Sequence, residues 1–538
     1  MQIKTVLISS CFWVSFAGYG QSPDPHAGAA PQLFQTSAQC IACHSNLKGP
    51  DGGDISIGTT WRASMMANSG RDPYWHAAVR REVTDHPSAQ AAIEDKCSTC
   101  HMPMAHVTAA AAGKLSEVFS NIESMRLEPE GHLAADGVSC TVCHQIQPDN
   151  LGSEESFDGG FLIDTELPLD QRAIFGPHDV DAGRQRVMQS ATGFVPEQAS
   201  HLARSELCAS CHTLYTDALD DQGAPAGQLP EQMPYLEWLE SDFRETQSCQ
   251  DCHMPVIGED TKISSVLGQP RPAFSQHVFR GGNSFIISIL NKYRDELGVK
   301  ALPVELDAEI QRTKQFLSTE TATLAVSKPR LSGDNLEFDV DVRSLTGHKL
   351  PTAYPSRRVW LHVTVSDGNG TVLFESGAVR SDGSIVGNAN DSDALDFEPH
   401  YEEITQEDQV QIYEPFLVDW RGRVTTGLIS AVGYAKDNRL LPRGFDKTGA
   451  AADIAVRGGA VDDDSFLAGG DRIRYRVPVG ARDGLRVEAE LLFQSVGFRW
   501  AHNLAEYATP ESERFVGYYR DTIEGSAVRL AFDAIALD

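Results

Sequence analysis

Ten of the eleven cysteines in this 538-residue chain fall into five pairs, each with two residues between the cysteines and a histidine directly after the second. The segments read CIACH, CSTCH, CTVCH, CASCH and CQDCH. The cysteines are Cys40, Cys43, Cys97, Cys100, Cys140, Cys143, Cys208, Cys211, Cys249 and Cys252, and the histidines are His44, His101, His144, His212 and His253. Disulfides, paired zinc-binding CxxC ribbons and covalent c-type haem attachment all use cysteines. Only haem attachment requires the adjacent histidine, as an axial ligand of the iron, so we predict five covalently bound c-type haems.

All five motifs lie between Cys40 and His253. This segment is too short for five separate small domains, because each domain would have only about a fifth of it, and domains so short rarely bury a hydrophobic core of their own. We therefore expect the haems to form much of the core and to lie close together. The intervals between motifs are uneven, which argues against a regular repeat array.

A low-spin haem iron needs a second axial ligand, and twelve of the seventeen histidines lie outside the motifs. Five candidates lie in short helix ends or loops near the motifs: His106, His132, His178, His201 and His277. Each is alternatively an ordinary surface or core histidine. Met65 and Met66 offer thioether ligands instead, although methionine on a helix more often packs in a core. They precede the helix-like RDPYWHAAVRREV, in which Asp72 can cap the helix and Pro73 can take its first position.

A sixth candidate is His348 in the segment LTGHKLPTAYPSRRVW. Pro351 and Pro355 cannot donate to a sheet ladder, so the segment is predicted to be a loop at a sheet edge or end. Such a loop could deliver His348 to a haem, while Lys349, Arg357 and Arg358 pair with haem propionates. The alternative is a loop whose histidine is satisfied by the backbone.

The chain is expected to contain an α-helical, loop-rich multihaem domain at 21–282, a helical connector at 283–320 and an all-β domain at 321–538. FIISILNKYRDELG and VELDAEIQRTKQFL have apolar residues at helical spacing. TATLAVS, LEFDVDV, RVWLHVTVSD, TVLFESG, RIRYRVPV, LRVEAELLF and AVRLAFDAIAL alternate as strands do. Many short alternating strands favour an immunoglobulin-like β-sandwich. The acidic DSDALD and VDDDS are either calcium sites or solvated loops.

The first twenty residues, MQIKTVLISSCFWVSFAGYG, are typical of a secretory signal peptide cleaved near Gly20. Ile8 to Cys11 loosely fit a lipoprotein site, but the hydrophobic segment before Cys11 is very short. No other run approaches the ~20 apolar residues of a membrane span, so a periplasmic or secreted protein is expected. The net charge of -30 disfavours nucleic acid and anionic membranes as partners. Redox partner proteins or an extracellular electron acceptor fit better.

The segments CHMPMAH, DGVSCTVCHQI, SELCASCHTL and MPYLEWLESDF, the last leading into CQDCHMP, resemble a superfamily of multihaem c-type cytochromes. This superfamily includes hydroxylamine oxidoreductase and pentahaem nitrite reductase, and the resemblance covers roughly Gln39 to Pro255. TGHKLPTAYPSRR, VQIYEP and KDNRLLPRGFDK resemble a branch of exported multihaem cytochromes with a cysteine-free C-terminal β-domain. Pentahaem nitrite reductases commonly carry one CxxCK haem as the catalytic site, whereas all five motifs here end in histidine. The crosslinking tyrosine and the larger haem number of hydroxylamine oxidoreductase are not evident either.

Two main functions follow, and no catalytic residue is predicted for either. The first is an electron-transfer cytochrome that relays single electrons through mostly bis-histidine haems. The second is an oxidoreductase that acts on a small nitrogen or sulfur compound at one five-coordinate haem, of which the haem at His44 is the expected one. A third interpretation is a structural subunit of an extracellular conducting assembly.

Overall fold

The computed structural model describes residues 32–127 and 132–537. The predicted signal peptide and its cleavage position lie outside the described residues. Within those ranges, no helix has both the length and the apolar character needed to cross a membrane.

The N-terminal half consists of short helices joined by loops. They are α1 (Ala38–Ile41), α2 (Ile57–Arg62), α3 (Pro73–Asp85), α4 (Gln90–His101), α5 (Pro103–Ala111), α6 (Val118–Leu127), α7 (Cys140–Cys143), α8 (Ala182–Thr192), α9 (Ser205–Ala209), α10 (Pro234–Leu239) and α11 (Cys249–His253). Helix α3 begins where the sequence predicts, because Asp72 accepts hydrogen bonds from the backbone N–H groups of Tyr74 and Trp75, and Pro73 takes the first helical position.

Four small two-stranded sheets also lie in this half, which the sequence predicted to be helical and loop-rich. Their strands are β1 (Ala173–Gly176), β2 (Val195–Gln198), β3 (Leu214–Leu219), β4 (Pro225–Gln232), β5 (Val256–Ile257), β6 (Thr261–Lys262), β7 (Pro270–Arg271) and β8 (Phe274–Ser275). β1 and β2 are parallel, whereas β3–β4, β5–β8 and β6–β7 are antiparallel. Most of these strands are too short for alternation to stand out in the sequence, and the longer β4, PAGQLPEQ, has few apolar residues.

Two helices follow at the predicted connector, α12 (Ser284–Lys292) and α13 (Pro303–Glu320). They pack on each other, and α13 also packs on the last strand of the chain. The connector is therefore part of the folded body.

The C-terminal half contains a β-sandwich. Its strands and those of a small third sheet are β9 (Ala322–Val326), β10 (Arg330–Ser332), β11 (Asn335–Ser344), β12 (Arg358–Ser366), β13 (Val372–Ser376), β14 (Glu403–Ile404), β15 (Ile412–Tyr413), β16 (Pro415–Asp419), β17 (Val424–Thr425), β18 (Ala431–Asp437), β19 (Gly470–Pro478), β20 (Arg486–Gln494) and β21 (Val528–Ala536). One sheet has the order β10-β11-β19-β14 with β9 also on β11, and the other has β13-β12-β20-β21 with β15 on β12.

Alternation explains why these two sheets face each other. Inward residues of both sheets, such as Phe338 and Tyr475 from one and Leu361 and Leu491 from the other, belong to one buried cluster. The rings of Phe338 and Tyr475 stack at 5.1 Å. All seven strands predicted in this half occur, and the immunoglobulin-like topology stays a prediction.

Three helices in the C-terminal half were not predicted: α14 (Ala389–Ser392), α15 (Phe498–Leu504) and α16 (Pro510–Thr522). Helix α16 leaves the sandwich and packs on α3 in the N-terminal half. Phe515 of α16 lies 5.0 Å from the ring of Tyr74, inside a buried cluster that also includes α12. The two halves therefore share a hydrophobic core.

Candidate haem-binding centre

Each CxxCH motif lies on or directly after a short helix. α7 and α11 consist of motif residues, α4 ends at His101, and α1 and α9 contain the first cysteines of their motifs. The ten motif cysteines are partly buried and form no disulfide. Among the described residues, the one cluster of potential ligand atoms tight enough to hold a metal contains no cysteine, so the four-ligand geometry of a zinc ribbon is not formed.

Four of the five motif histidines are oriented by a backbone carbonyl. The Nδ1 atoms of His44, His144 and His253 lie 2.6 Å from the carbonyl oxygens of Ile263, Phe175 and Arg280, and Nδ1 of His101 lies 3.3 Å from that of Ser69. An N–H donated from Nδ1 leaves the lone pair of Nε2 available for a metal.

Four of the five motif imidazoles are partly buried and that of His212 is exposed. Desolvation by the surrounding protein favours the neutral form, which is the form that binds a metal. Desolvation lowers the pKa of His101 and of His253 to about 4. It also lowers the pKa of His44, His144 and His212 from the usual value.

The third motif faces one predicted distal histidine. The rings of His144 and His277 have centres 6.4 Å apart and planes inclined by 12°. Nδ1 of His277 lies 3.1 Å from the carbonyl oxygen of Ser275, and burial lowers the pKa of His277 to about 3. Both rings thus keep Nε2 free of hydrogen bonds within the described residues.

The fifth motif faces a second predicted distal histidine, His348. The ring centres of His253 and His348 are 6.3 Å apart, with an interplanar angle of 14°. Nδ1 of His348 lies 2.9 Å from the carbonyl oxygen of Lys349, and desolvation lowers the pKa of His348. The segment around His348 is a loop between β11 and β12, as predicted.

These separations fit two ligands of one metal. Two imidazoles on opposite faces of a metal, with nitrogen bonds of about 2.1 Å and ring centres about 1.1 Å behind each nitrogen, have centres roughly 6.4 Å apart. Directly stacked rings would lie closer together, as Trp75 and His101 do at 4.4 Å. The two histidine pairs therefore fit an iron held between them.

The other predicted distal histidines have different surroundings. His106 lies beside Ser98 and Asp95 of the neighbouring helix α4. Nε2 of His201 lies 2.8 Å from the carbonyl oxygen of Ile146. His178 is partly exposed, and His132 precedes the turn that leads into the third motif. His106, His178 and His201 form no parallel ring pair with a motif histidine in the described part of the chain.

The loop that contains His348 is anchored through a buried ion-pair network. Lys349 binds Asp437 at 2.7 Å, and Arg439 binds both Asp437 and Glu237 of α10. Glu237 also accepts hydrogen bonds from the backbone N–H of Lys349 and the hydroxyl of Thr352. The two cations hold the pKa of Asp437 far below its usual range despite burial. The network fixes the loop to the N-terminal half.

The three residues predicted to bind haem propionates therefore differ in whether another side chain already neutralises their charge. Lys349 is committed to Asp437, and Arg358 forms a buried ion pair with Asp391 at 2.9 Å. Arg357 has no carboxylate partner among the described residues and donates to the carbonyl oxygen of Thr352. Burial alone lowers its pKa to about 10. Arg357 is the residue of this loop that remains available to an anion.

Side chains of different motifs also meet. The thiols of Cys40 and Cys140 interact, as do those of Cys208 and Cys249 and those of Cys211 and Cys100. The charge of a Cys143 thiolate would also raise the pKa of both Cys208 and Cys211. The fourth motif therefore borders the second, third and fifth, and the first motif borders the third.

The acidic segments considered for calcium have internal partners. Asp391 of DSDALD binds Arg358, and Asp463 of VDDDS accepts from Nε2 of His400 at 2.9 Å. His400, Asp463 and Asp471 bring three potential ligand atoms together.

Hydrogen bonding around His400 disfavours a metal there. Asn438 donates to Nδ1 of His400, and its orientation is fixed because the same amide donates to the carbonyl of Ile412 and accepts from the N–H of Glu414. The proton of neutral His400 therefore lies on Nε2, where it satisfies Asp463 and leaves no lone pair for an ion.

No protein-family model and no curated protein matches the chain. Its structure is similar to that of a penta-heme cytochrome c552 from Thermochromatium tepidum, with a TM-score of 0.51 and 16% sequence identity. The chain has the fold of a multihaem c-type cytochrome. The similarity covers 94% of this chain and 100% of the other, so both halves belong to the shared fold. The narrower resemblance to the superfamily of hydroxylamine oxidoreductase stays a prediction.

Proposed function

We propose that the chain is an exported cytochrome that binds five c-type haems and relays single electrons between redox partners. The observation that supports this most directly is the nearly parallel arrangement of two imidazole pairs, His144 with His277 and His253 with His348. When bound, the haem irons supply one-electron redox chemistry.

The residues of the chain have defined roles in this proposal. The cysteines of each motif hold a porphyrin covalently, and His277 and His348 complete the ligand sets of the third and fifth irons. The carbonyls of Phe175 and Arg280 orient the motif imidazoles and raise their basicity through Nδ1. Because cysteines of different motifs interact, the haems that they hold would be neighbours between which electrons can pass.

Spectra of the ferric protein test the ligand pairs. His277→Ala and His348→Ala should each convert one low-spin haem to a high-spin haem, and the double variant should convert two. His362→Ala is a matched control, since His362 lies on β12 between Glu375 and Glu490. Unchanged spin states in both single variants would contradict the assigned ligands.

An oxidoreductase is the second candidate. In the described part of the chain, the parallel imidazole pair is seen at two motifs and not at His44, His101 or His212. An open iron at one of these would bind a small nitrogen or sulfur compound. A high-spin fraction in the unmodified ferric protein, together with turnover of nitrite, hydroxylamine or sulfite, would favour this function over the relay.

A further inference from the structure

We propose that Trp75 is a positioning residue for the second haem: its indole fixes the plane of the His101 imidazole and stabilises the ferric state of the iron that His101 would bind. This inference rests on the proposed function, because it assumes a haem at the second motif. It is drawn from the ring contact between the two side chains and from the way in which each of them is held.

The indole of Trp75 lies flat against the imidazole of His101. The ring centres are 4.4 Å apart, and the planes are inclined by only 1°. The ring contacts of other motif histidines in the described part of the chain have centres 6.1 to 6.4 Å apart. An aromatic side chain therefore covers one face of the His101 ring, and this close stack distinguishes the second motif from the other four within residues 32–127 and 132–537.

The packing of α3 holds Trp75 in place. Trp75 is only 7% exposed and belongs to a buried cluster with Val79 and Val83 of the same helix and Ile93 of α4. Its backbone N–H also donates to the capping carboxylate of Asp72. The indole therefore cannot turn away from His101 without opening this cluster, and close packing makes such openings costly.

The turn before α3 holds His101 at two further points. Nδ1 of His101 lies 3.3 Å from the carbonyl oxygen of Ser69, and the hydroxyl of Ser69 donates to the backbone carbonyl of His101 at 2.8 Å. The contact at Nδ1 is longer than the 2.6 Å contacts at three other motifs. A longer hydrogen bond constrains the ring less, so the orientation of the His101 imidazole depends more on its stack with Trp75.

The stack also acts on charge. An imidazole bound to ferric iron carries more positive charge than one bound to ferrous iron, because the ligands share the charge of the metal. The face of an indole is negative and attracts a cation within about 6 Å of the ring centre, so the contact at 4.4 Å favours the ferric state. If Trp75 only filled space, its removal would admit water, which stabilises the more highly charged ferric state. The two roles therefore predict opposite shifts of the reduction potential.

A potentiometric titration of the fully loaded protein tests the inference. Trp75→Leu should move one of the five one-electron steps to a more positive potential, and Trp75→Phe, which keeps a weaker negative ring face, should give a smaller shift in the same direction. The paramagnetic resonance of one ferric haem should also change in Trp75→Leu, because the plane of the imidazole is no longer fixed. Trp420→Leu makes the same substitution at a 39% exposed position and should change neither signal.

Three results would overturn the inference. They are an unchanged titration of Trp75→Leu, a shift to a more negative potential, and equal shifts in the Leu and Phe variants. If Trp75→Leu does not fold, Trp75→Phe decides, and a negative or absent shift in that variant contradicts the inference. The mass of the unmodified protein separates this failure from that of the proposed function: fewer than five attached haems would contradict the function, whereas five haems with any of these results would contradict the role of Trp75 alone.

Discussion

At the scale of single residues, an ionisable side chain that is buried without an ion-pair partner has a shifted pKa, and its charge therefore depends on the surroundings. Glu231 is an example in β4. It is buried, accepts from the hydroxyl of Thr216 at 2.6 Å and from the amide of Gln232, and has no ion-pair partner among the described residues. Desolvation raises its pKa to about 7, with a further contribution from Glu82.

Glu231→Gln should change the pH dependence of stability. Because the pKa of Glu231 is higher in the folded protein than the usual 4.5, the unfolded chain loses its proton first as the pH rises. Folding stability should therefore fall between about pH 4.5 and pH 7 relative to the variant, by on the order of 3 kcal/mol. Denaturant titrations at several pH values measure this difference. A constant difference across the window would show that Glu231 ionises normally in the folded protein.

At the scale of elements, the loop between β11 and β12 has a fixed position because of charges contributed by three separate segments. Glu237 comes from α10, Lys349 from the loop, and Asp437 and Arg439 from the end of β18 and the residues after it. With Glu237 neutral, two buried cations would share a single carboxylate. Removing one member of a buried ion-pair network usually costs several kcal/mol.

Glu237→Gln should therefore destabilise the protein by roughly 3 kcal/mol and loosen the attachment of the loop. The haem signal that changes in His348→Ala should also change in Glu237→Gln. Asp341→Asn is the control, because Asp341 pairs with an exposed Arg472, and loss of such a pair costs about 0–1 kcal/mol. Denaturation midpoints and ferric spectra measure both effects. If Glu237→Gln were destabilised but all five haem signals were unaltered, the ion-pair network would not determine the position of His348.

Elements with strong local signals could be predicted from the sequence. The start of α3 at Asp72 and Pro73 and the long alternating strands were predicted because capping and period-two patterns are local. Helix α16 was missed, although Pro510 at its start, Glu511 and Glu513 in the first turn and the apolar Phe515 and Tyr519 are a readable pattern. The pairing of His348 with one motif rather than another could not be predicted, since it depends on contacts between distant segments.

At the scale of the whole molecule, the two halves share a hydrophobic core, and we expect them to unfold cooperatively. α16 from the C-terminal half packs on α3 and on α12 of the connector, and β18 packs on β4. The similarity to the penta-heme cytochrome also extends over both halves. Residues from both sides of the predicted boundaries at 282 and 320 thus pack against one another, and the boundaries stay a prediction.

Phe515→Ala tests this cooperativity. Phe515 is fully buried between the halves, and its truncation should cost about 3–5 kcal/mol. The haem absorbance and the far-UV signal of the β-sheets should both shift to lower denaturant concentration and stay coincident. Phe532→Ala, at a 45% exposed position on β21, should shift the midpoint far less. Two separated transitions in the unmodified protein would show that the halves unfold independently.

The position of His348 also has a consequence for biosynthesis. A chain is made from its N-terminus, so the five attachment motifs are complete before the loop between β11 and β12 exists. The fifth motif therefore precedes its proposed second ligand in the chain, and that ligand takes its position only when the β-sandwich has folded around Lys349 and Asp437. We expect chains truncated before this loop that still bind all five haems to have one haem reactive towards external ligands such as cyanide or carbon monoxide.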